Sequence, residues 1–282
     1  MSPSRQRDAR GVPWLDFGGR GPALHFAHAN GYPPGAYRAL LEDLAGDHRV
    51  FAVSHRPLWS AGPPEAELKH WDRVAEDLIA FLDGLGEGPV IGAGHSLGAT
   101  STMFAALRRP DLFRALVLVD PVFVTPAAAA FLALAPRSAV NRVPVVGAAL
   151  RRREAFASVD EAFDYYRRKP VFEGLSDAAL RDYVEAALRP DGQGLRLAYP
   201  REWEAQLYRT VPWVWHRLGG VTMPVLGLRG ARSGTLMPSS FRRWRRLQPH
   251  ADLQEVPGCG HLAPLERPAE VAARIRAFTA AI

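Results

Sequence analysis

The chain has 282 residues, 48% of them hydrophobic and 23% charged, which excludes a disordered or collagen-like polymer and leaves room for one large core with an insertion. A single cysteine, Cys259, excludes an internal disulfide and suits a reducing compartment, so a cytoplasmic location is expected. The net charge of +6 comes mostly from arginines scattered in short groups such as Arg151-Arg152-Arg153 and Arg167-Arg168-Lys169, read here as solvated helix faces. Without zinc-ligand spacing or an RNA-binding aromatic signature, they do not make a nucleic-acid partner.

Residues 1–10 are polar and basic with no apolar core behind them, so no secretory signal is expected there. Short apolar or β-branched runs then alternate with segments of helical periodicity. Strands are predicted at 12–17, 23–27, 50–54, 89–94, 115–120, 225–229 and 252–256. Helices are predicted at 35–44, 71–85, 97–108, 238–247 and 269–280. That alternation is the pattern of a mostly parallel sheet covered by helices on both faces. It lapses after Asp120 and resumes at Val225.

The gap reads as helical, without a clear strand, and divides the chain into a core of 1–121 and 221–282 around an inserted helical cap at 122–220. Ser158 and Ser176 are helix-start signals within it, and Pro190-Asp191-Gly192 marks a turn. Its longest apolar stretch, 122–135, is broken by Thr125 and Pro126 and is too short to span a bilayer, so stable membrane insertion is not expected. The stretch 203–218 carries Trp203, Tyr208, Trp213, Trp215 and His216, which suit either a lid over an apolar pocket or plain aromatic packing.

The strand at 89–94 runs through Gly94-His95-Ser96-Leu97-Gly98 into a helix. In that context G-x-S-x-G is a tight turn that lifts a serine hydroxyl above the sheet, with a helix N-terminus facing any negative charge that develops beside it. A serine needs a base, and histidine has the pKa for that task near neutrality. His261 qualifies because it follows the last strand in a glycine-rich loop, Gly258-Cys259-Gly260-His261, before the final helix. Cys259 has no such turn of its own and is not read as a nucleophile. His25, His55, His70 and His216 are read as structural or surface residues.

Together with His28-Ala29-Asn30-Gly31, Leu118-Val119-Asp120-Pro121 and Pro264-Leu265-Glu266-Arg267-Pro268, these motifs resemble the α/β-hydrolase superfamily, in its cap-bearing, esterase-like branch, over nearly the whole chain. The resemblance implies a serine hydrolase of ester-type bonds in small to medium apolar substrates, with no metal or organic cofactor. It also implies an oxyanion hole made by the backbone amides of Leu97 and of Asn30, or else Ala29. The chain departs from the commonest pattern where many relatives carry an acid after the strand at 225–229. That loop reads Gly230-Ala231-Arg232-Ser233-Gly234, and no Asp or Glu occurs between Glu204 and Asp252. Asp120 is the best substitute, as in the haloalkane dehalogenases; the alternatives are a Ser–His dyad and a purely structural Asp-Pro turn. An acyltransferase, a perhydrolase, a C–C bond hydrolase and a ligand receptor with vestigial chemistry stay open as other uses of the scaffold.

Overall fold

The computed structural model describes residues 3–282. Eight strands form one sheet: β1 (Ser4–Arg7), β2 (Pro13–Gly18), β3 (Ala23–Ala27), β4 (Arg49–Val53), β5 (Val90–His95), β6 (Phe113–Val119), β10 (Val225–Gly230) and β11 (Asp252–Val256). Their order is β1-β2-β4-β3-β5-β6-β10-β11, antiparallel in the first two pairings and parallel from β4 onward. The alternating pattern predicts this mostly parallel, helix-covered sheet, and the chain has the α/β-hydrolase fold that its motifs resemble.

The central strands are apolar because both of their faces are covered. All residues of β5 and β10 are buried. Alternate side chains serve opposite layers: Leu24, Phe26, Val117 and Val119 pack with the helices Arg38–Leu44 and Pro268–Thr279. Phe51, Val53, Leu116 and Leu118 pack with Asp72–Leu85, Leu97–Arg108 and Pro238–Leu247. Each large apolar side chain so buried contributes roughly 1.5–3 kcal/mol. The outermost strand, β1, lies wholly exposed and was not anticipated; its Ser-Arg-Gln-Arg has no apolar face, and only its antiparallel pairing with β2 makes it a strand.

Between β6 and β10 the insertion differs from its all-helical expectation. It holds helices Pro126–Leu134, Pro144–Leu150, Val159–Arg167, Asp177–Ala187 and Arg201–Arg209, but also a three-stranded sheet of β7 (Ala155–Phe156), β9 (Gly194–Leu197) and β8 (Leu188–Asp191). The predicted turn at 190–192 is the tip of the β8–β9 hairpin, where Gly192 takes φ +60°. The hydroxyls of Ser158 and Ser176 cap helices as their sequence context indicates. No helix among the described residues is long and apolar enough to cross a membrane.

Candidate active site

The C-terminal ends of β5, β6, β10 and β11 lie side by side, and Ser96, Asp120, Ser233 and His261 follow them in that order. Ser96 occupies φ +56°, ψ −117°, a strained conformation for a residue with a side chain. Close packing explains the flanking glycines. A Cβ on Gly98 would stand 2.1 Å from the Ala27 carbonyl oxygen, and one on Gly94 2.6 Å from the Gly98 backbone. Ser96 is the residue before the helix Leu97–Arg108, yet its hydroxyl makes no cap. Instead it donates to Nε2 of His261 at 3.0 Å.

Nδ1–H of His261 donates to Oδ2 of Asp120 at 2.6 Å, so the three residues singled out from sequence form one hydrogen-bonded chain. Asp120 is fully buried and, among the described residues, is the other non-glycine residue with positive φ, at +45°. Its amide stays bound to the Leu228 carbonyl at 2.7 Å, holding the turn to β10. The carboxylate also accepts from the Gly230 amide at 3.1 Å and from the Ser233 hydroxyl at 2.5 Å. Three donors converging on a buried carboxylate offset the loss of its hydration. Ser233 lies in the loop that lacks an acid, and it supports the acid supplied from β6. Sequence reading missed it, since a serine in a glycine-rich loop has no signal until its partner is known.

The structure also separates Asn30 from Ala29. The Ala29 amide donates to the Tyr37 hydroxyl at 3.1 Å. That hydroxyl donates to Nδ1 of His95 at 2.8 Å, and Nε2–H of His95 donates to the His261 carbonyl at 2.7 Å. Only Nε2 can carry the proton here, because a carbonyl cannot donate. Burial holds His95 well below the usual histidine range and so keeps it neutral. The relay occupies the Ala29 amide while fixing the backbone of His261.

The Asn30 amide has no acceptor among the described residues, and its direction is set in part by the other end of its peptide. The Ala29 carbonyl accepts from Nδ1–H of His28 at 2.9 Å and from the Tyr32 amide at 3.2 Å. In a trans peptide the N–H points opposite the C=O, so that amide faces away from these donors. Nε2 of His28 accepts from the His55 amide at 2.9 Å, and Nε2–H of His55 donates to the His28 carbonyl at 2.8 Å. Burial keeps His28 well below the usual range and lowers His55 to about 4. The amide of Leu97, first in its helix, likewise has no intrahelical acceptor.

Other expectations change on inspection. Trp203 and Trp215 are buried in the core, with Trp215 donating to the Val124 carbonyl at 2.8 Å, so they are packing residues. Arg152 is no solvated arginine. It forms a largely buried ion pair with Glu204 and also bonds the Tyr166 and Tyr183 hydroxyls. Cys259 is buried, donates to the Val256 carbonyl, and has its thiol pushed up to about 11 by burial, which leaves it a poor nucleophile. His25 and His55 are buried, while His70 and His216 lie exposed.

Comparison with known proteins agrees with the fold. The family model described as "Alpha/beta hydrolase family" matches residues 26–274, and the chain belongs to that family. It is 27% identical to 2-(acetamidomethylene)succinate hydrolase of Mesorhizobium japonicum, over 86% of this chain and 82% of that protein. It is 31% identical to Lipase LipV of Mycobacterium tuberculosis, over 73% and 74%. A crystal structure of E-2-(acetamidomethylene)succinate hydrolase superposes with a TM-score of 0.85 at 23% identity, covering 99% of this chain and 100% of that one. These relatives are hydrolases, and their likeness supports hydrolase chemistry here.

Proposed function

We propose that this protein is a serine hydrolase that cleaves carboxylic ester-type bonds through an acyl-enzyme on Ser96. The observation that carries this reading is the continuous chain Ser96–His261–Asp120, at 3.0 and 2.6 Å, next to the unoccupied amides of Asn30 and Leu97. His261 takes the proton of Ser96 as its oxygen attacks the carbonyl carbon, and the two amides receive the charge that develops on the carbonyl oxygen. Asp120 holds Nδ1 protonated, leaving Nε2 free to act as base, and stabilises the imidazolium. His261 then protonates the leaving alcohol, and water repeats the sequence on the acyl group. In this reading residues 122–220 act as a cap that sets which acyl groups enter.

A second reading extends the bond type to amides. The relative named for hydrolysing 2-(acetamidomethylene)succinate matches over most of both chains, which favours testing small acetamide-bearing acids beside apolar esters. The test is turnover of p-nitrophenyl esters of rising acyl length, and of N-acetyl enamides, by wild type and Ser96→Ala. Loss of about 10³-fold or more in the variant supports the assignment. Ester turnover within tenfold of wild type in Ser96→Ala overturns it.

A further inference from the structure

The loop that ends in Asn30 is held from two directions. The core side holds its first half, through the relay from Ala29 to Tyr37 and the contacts among His28, His55 and Tyr32. Its second half has one backbone bond on that side, from the Tyr32 amide to the Ala29 carbonyl. Asn30 is followed by Gly31 at φ +77°, a joint with wide conformational freedom. What restrains the Asn30 side chain comes from the insertion: the Tyr199 hydroxyl donates to its Oδ1 at 2.8 Å, and its Nδ2 donates to the Glu204 backbone carbonyl at 3.0 Å. Asn30 is 5% exposed and Tyr199 1%, so neither bond is exchanged readily for one to water. Directly above, the Arg152–Glu204 pair presses on Gly31, where a Cβ would stand 3.0 Å from the guanidinium and 3.1 Å from the carboxyl carbon.

From this we infer that the insertion has a second task besides covering the site: Tyr199 and the Glu204 carbonyl are positioning groups that, together with the donors on the Ala29 carbonyl, hold the Asn30 amide in its oxyanion-binding orientation. Seating of the insertion and formation of the hole are then one event. Tyr199 acts through Asn30 and need not touch the substrate. The inference rests on the proposed function, because it presumes that Ser96 attacks and that the Asn30 amide receives the resulting charge. A displaced donor loses most of its effect on the transition state, since a shift of about 1 Å can cost 10²-fold.

The test uses an alkyl fluorophosphonate on the full chain. In that reaction the Ser96 oxygen bonds to phosphorus, the P–F bond breaks, fluoride leaves, and His261 takes the serine proton. The phosphoryl oxygen needs the hole as an ester oxyanion would. Labelling rates are compared for wild type, Ser96→Ala, Tyr199→Phe and Asn30→Ala, with melting temperatures and with kcat and KM on one p-nitrophenyl ester. Tyr199→Phe removes one hydroxyl from a buried ring; Asn30→Ala removes every side-chain contact but keeps the backbone amide. The inference predicts labelling of wild type only through Ser96, slowed 10- to 100-fold in both variants, with kcat falling and KM within about twofold. Labelling of either folded variant at the wild-type rate overturns the inference while leaving the proposed function intact. Wild type that is not labelled at Ser96 overturns the proposed function and the inference with it.

Discussion

The central sheet and the insertion are built by different means. The sheet is held by apolar side chains filling both faces, and it carries Ser96, Asp120 and His261 beyond the ends of β5, β6 and β11. The insertion contributes apolar residues such as Tyr183, Trp203 and Leu207 to the same cores. It is also fastened by individual polar contacts, Tyr199 and Glu204 to Asn30, Trp71 to the Leu207 carbonyl and Gln206 to the Leu68 carbonyl, and is braced internally by the Arg152–Glu204 pair. Apolar packing tolerates change if volume is kept, whereas a buried polar contact fails when one partner is lost. The sheet should therefore supply most of the stability, and the insertion most of the control over geometry.

The largest effect is expected at the sheet edge. Asp120→Asn keeps the shape of the side chain but removes the charge that holds Nδ1–H of His261, and should reduce kcat by about 10⁴-fold. Steady-state kinetics beside a melting curve checks this; a variant within tenfold of wild type would mean that Ser96 and His261 work as a dyad. In the sheet core, Phe26→Ala removes a fully buried ring and should destabilise the protein by about 3 to 5 kcal/mol in urea unfolding. The remaining folded fraction should keep near-normal KM.

The insertion should respond through a buried polar pair instead of through lost apolar volume. Arg152→Ala leaves the Glu204 carboxylate buried without its cation, at a cost of about 3 kcal/mol, and the double change with Glu204→Leu should recover most of that loss. A double-mutant cycle by urea unfolding measures this coupling; additive losses would show that the pair does not brace the insertion from within.

A smaller, graded effect comes from the buried histidines. Burial lowers His25 to about 3 and His55 to about 4 from the ordinary 6.5, and His28 and His95 are also held well below it. As pH falls through 6.5 the unfolded chain binds protons that the folded chain refuses until those lower values are reached. Stability is therefore full above pH 6.5 and declines on acidification, by up to about 1.4 kcal/mol per pH unit for each ring. The decline ends for His55 and His25 as the folded rings titrate near pH 4 and pH 3. Urea midpoints between pH 7 and pH 4.5 should fall steadily, and His55→Gln should flatten the slope.

Legibility followed the same divide. The strands β3, β5, β6 and β10 are continuous buried runs bounded by turn residues, so their apolar character shows in one dimension. Gly94 to Gly98 was legible because steric demand at that turn excludes other residues. Within the insertion, β8 and β9 carry Arg189, Asp191 and Arg196 on exposed faces and have too little apolar alternation to register as strands. The support for the site was hidden for another reason. Tyr37 finds His95 58 positions away, and Ser233 finds Asp120 113 positions away, through residue types too common to stand out. The absence of an acid between Glu204 and Asp252 did point to Asp120, but only the fold brings that carboxylate to His261.

The most direct test of the central claim is mass spectrometry of the protein quenched during turnover of a p-nitrophenyl ester, followed by peptide mapping. The account predicts an added acyl mass on the peptide containing Ser96, absent in Ser96→Ala and longer-lived in His261→Ala if any forms. An enzyme that turns over the ester with no adduct on Ser96, or with the acyl group on another residue, would contradict it.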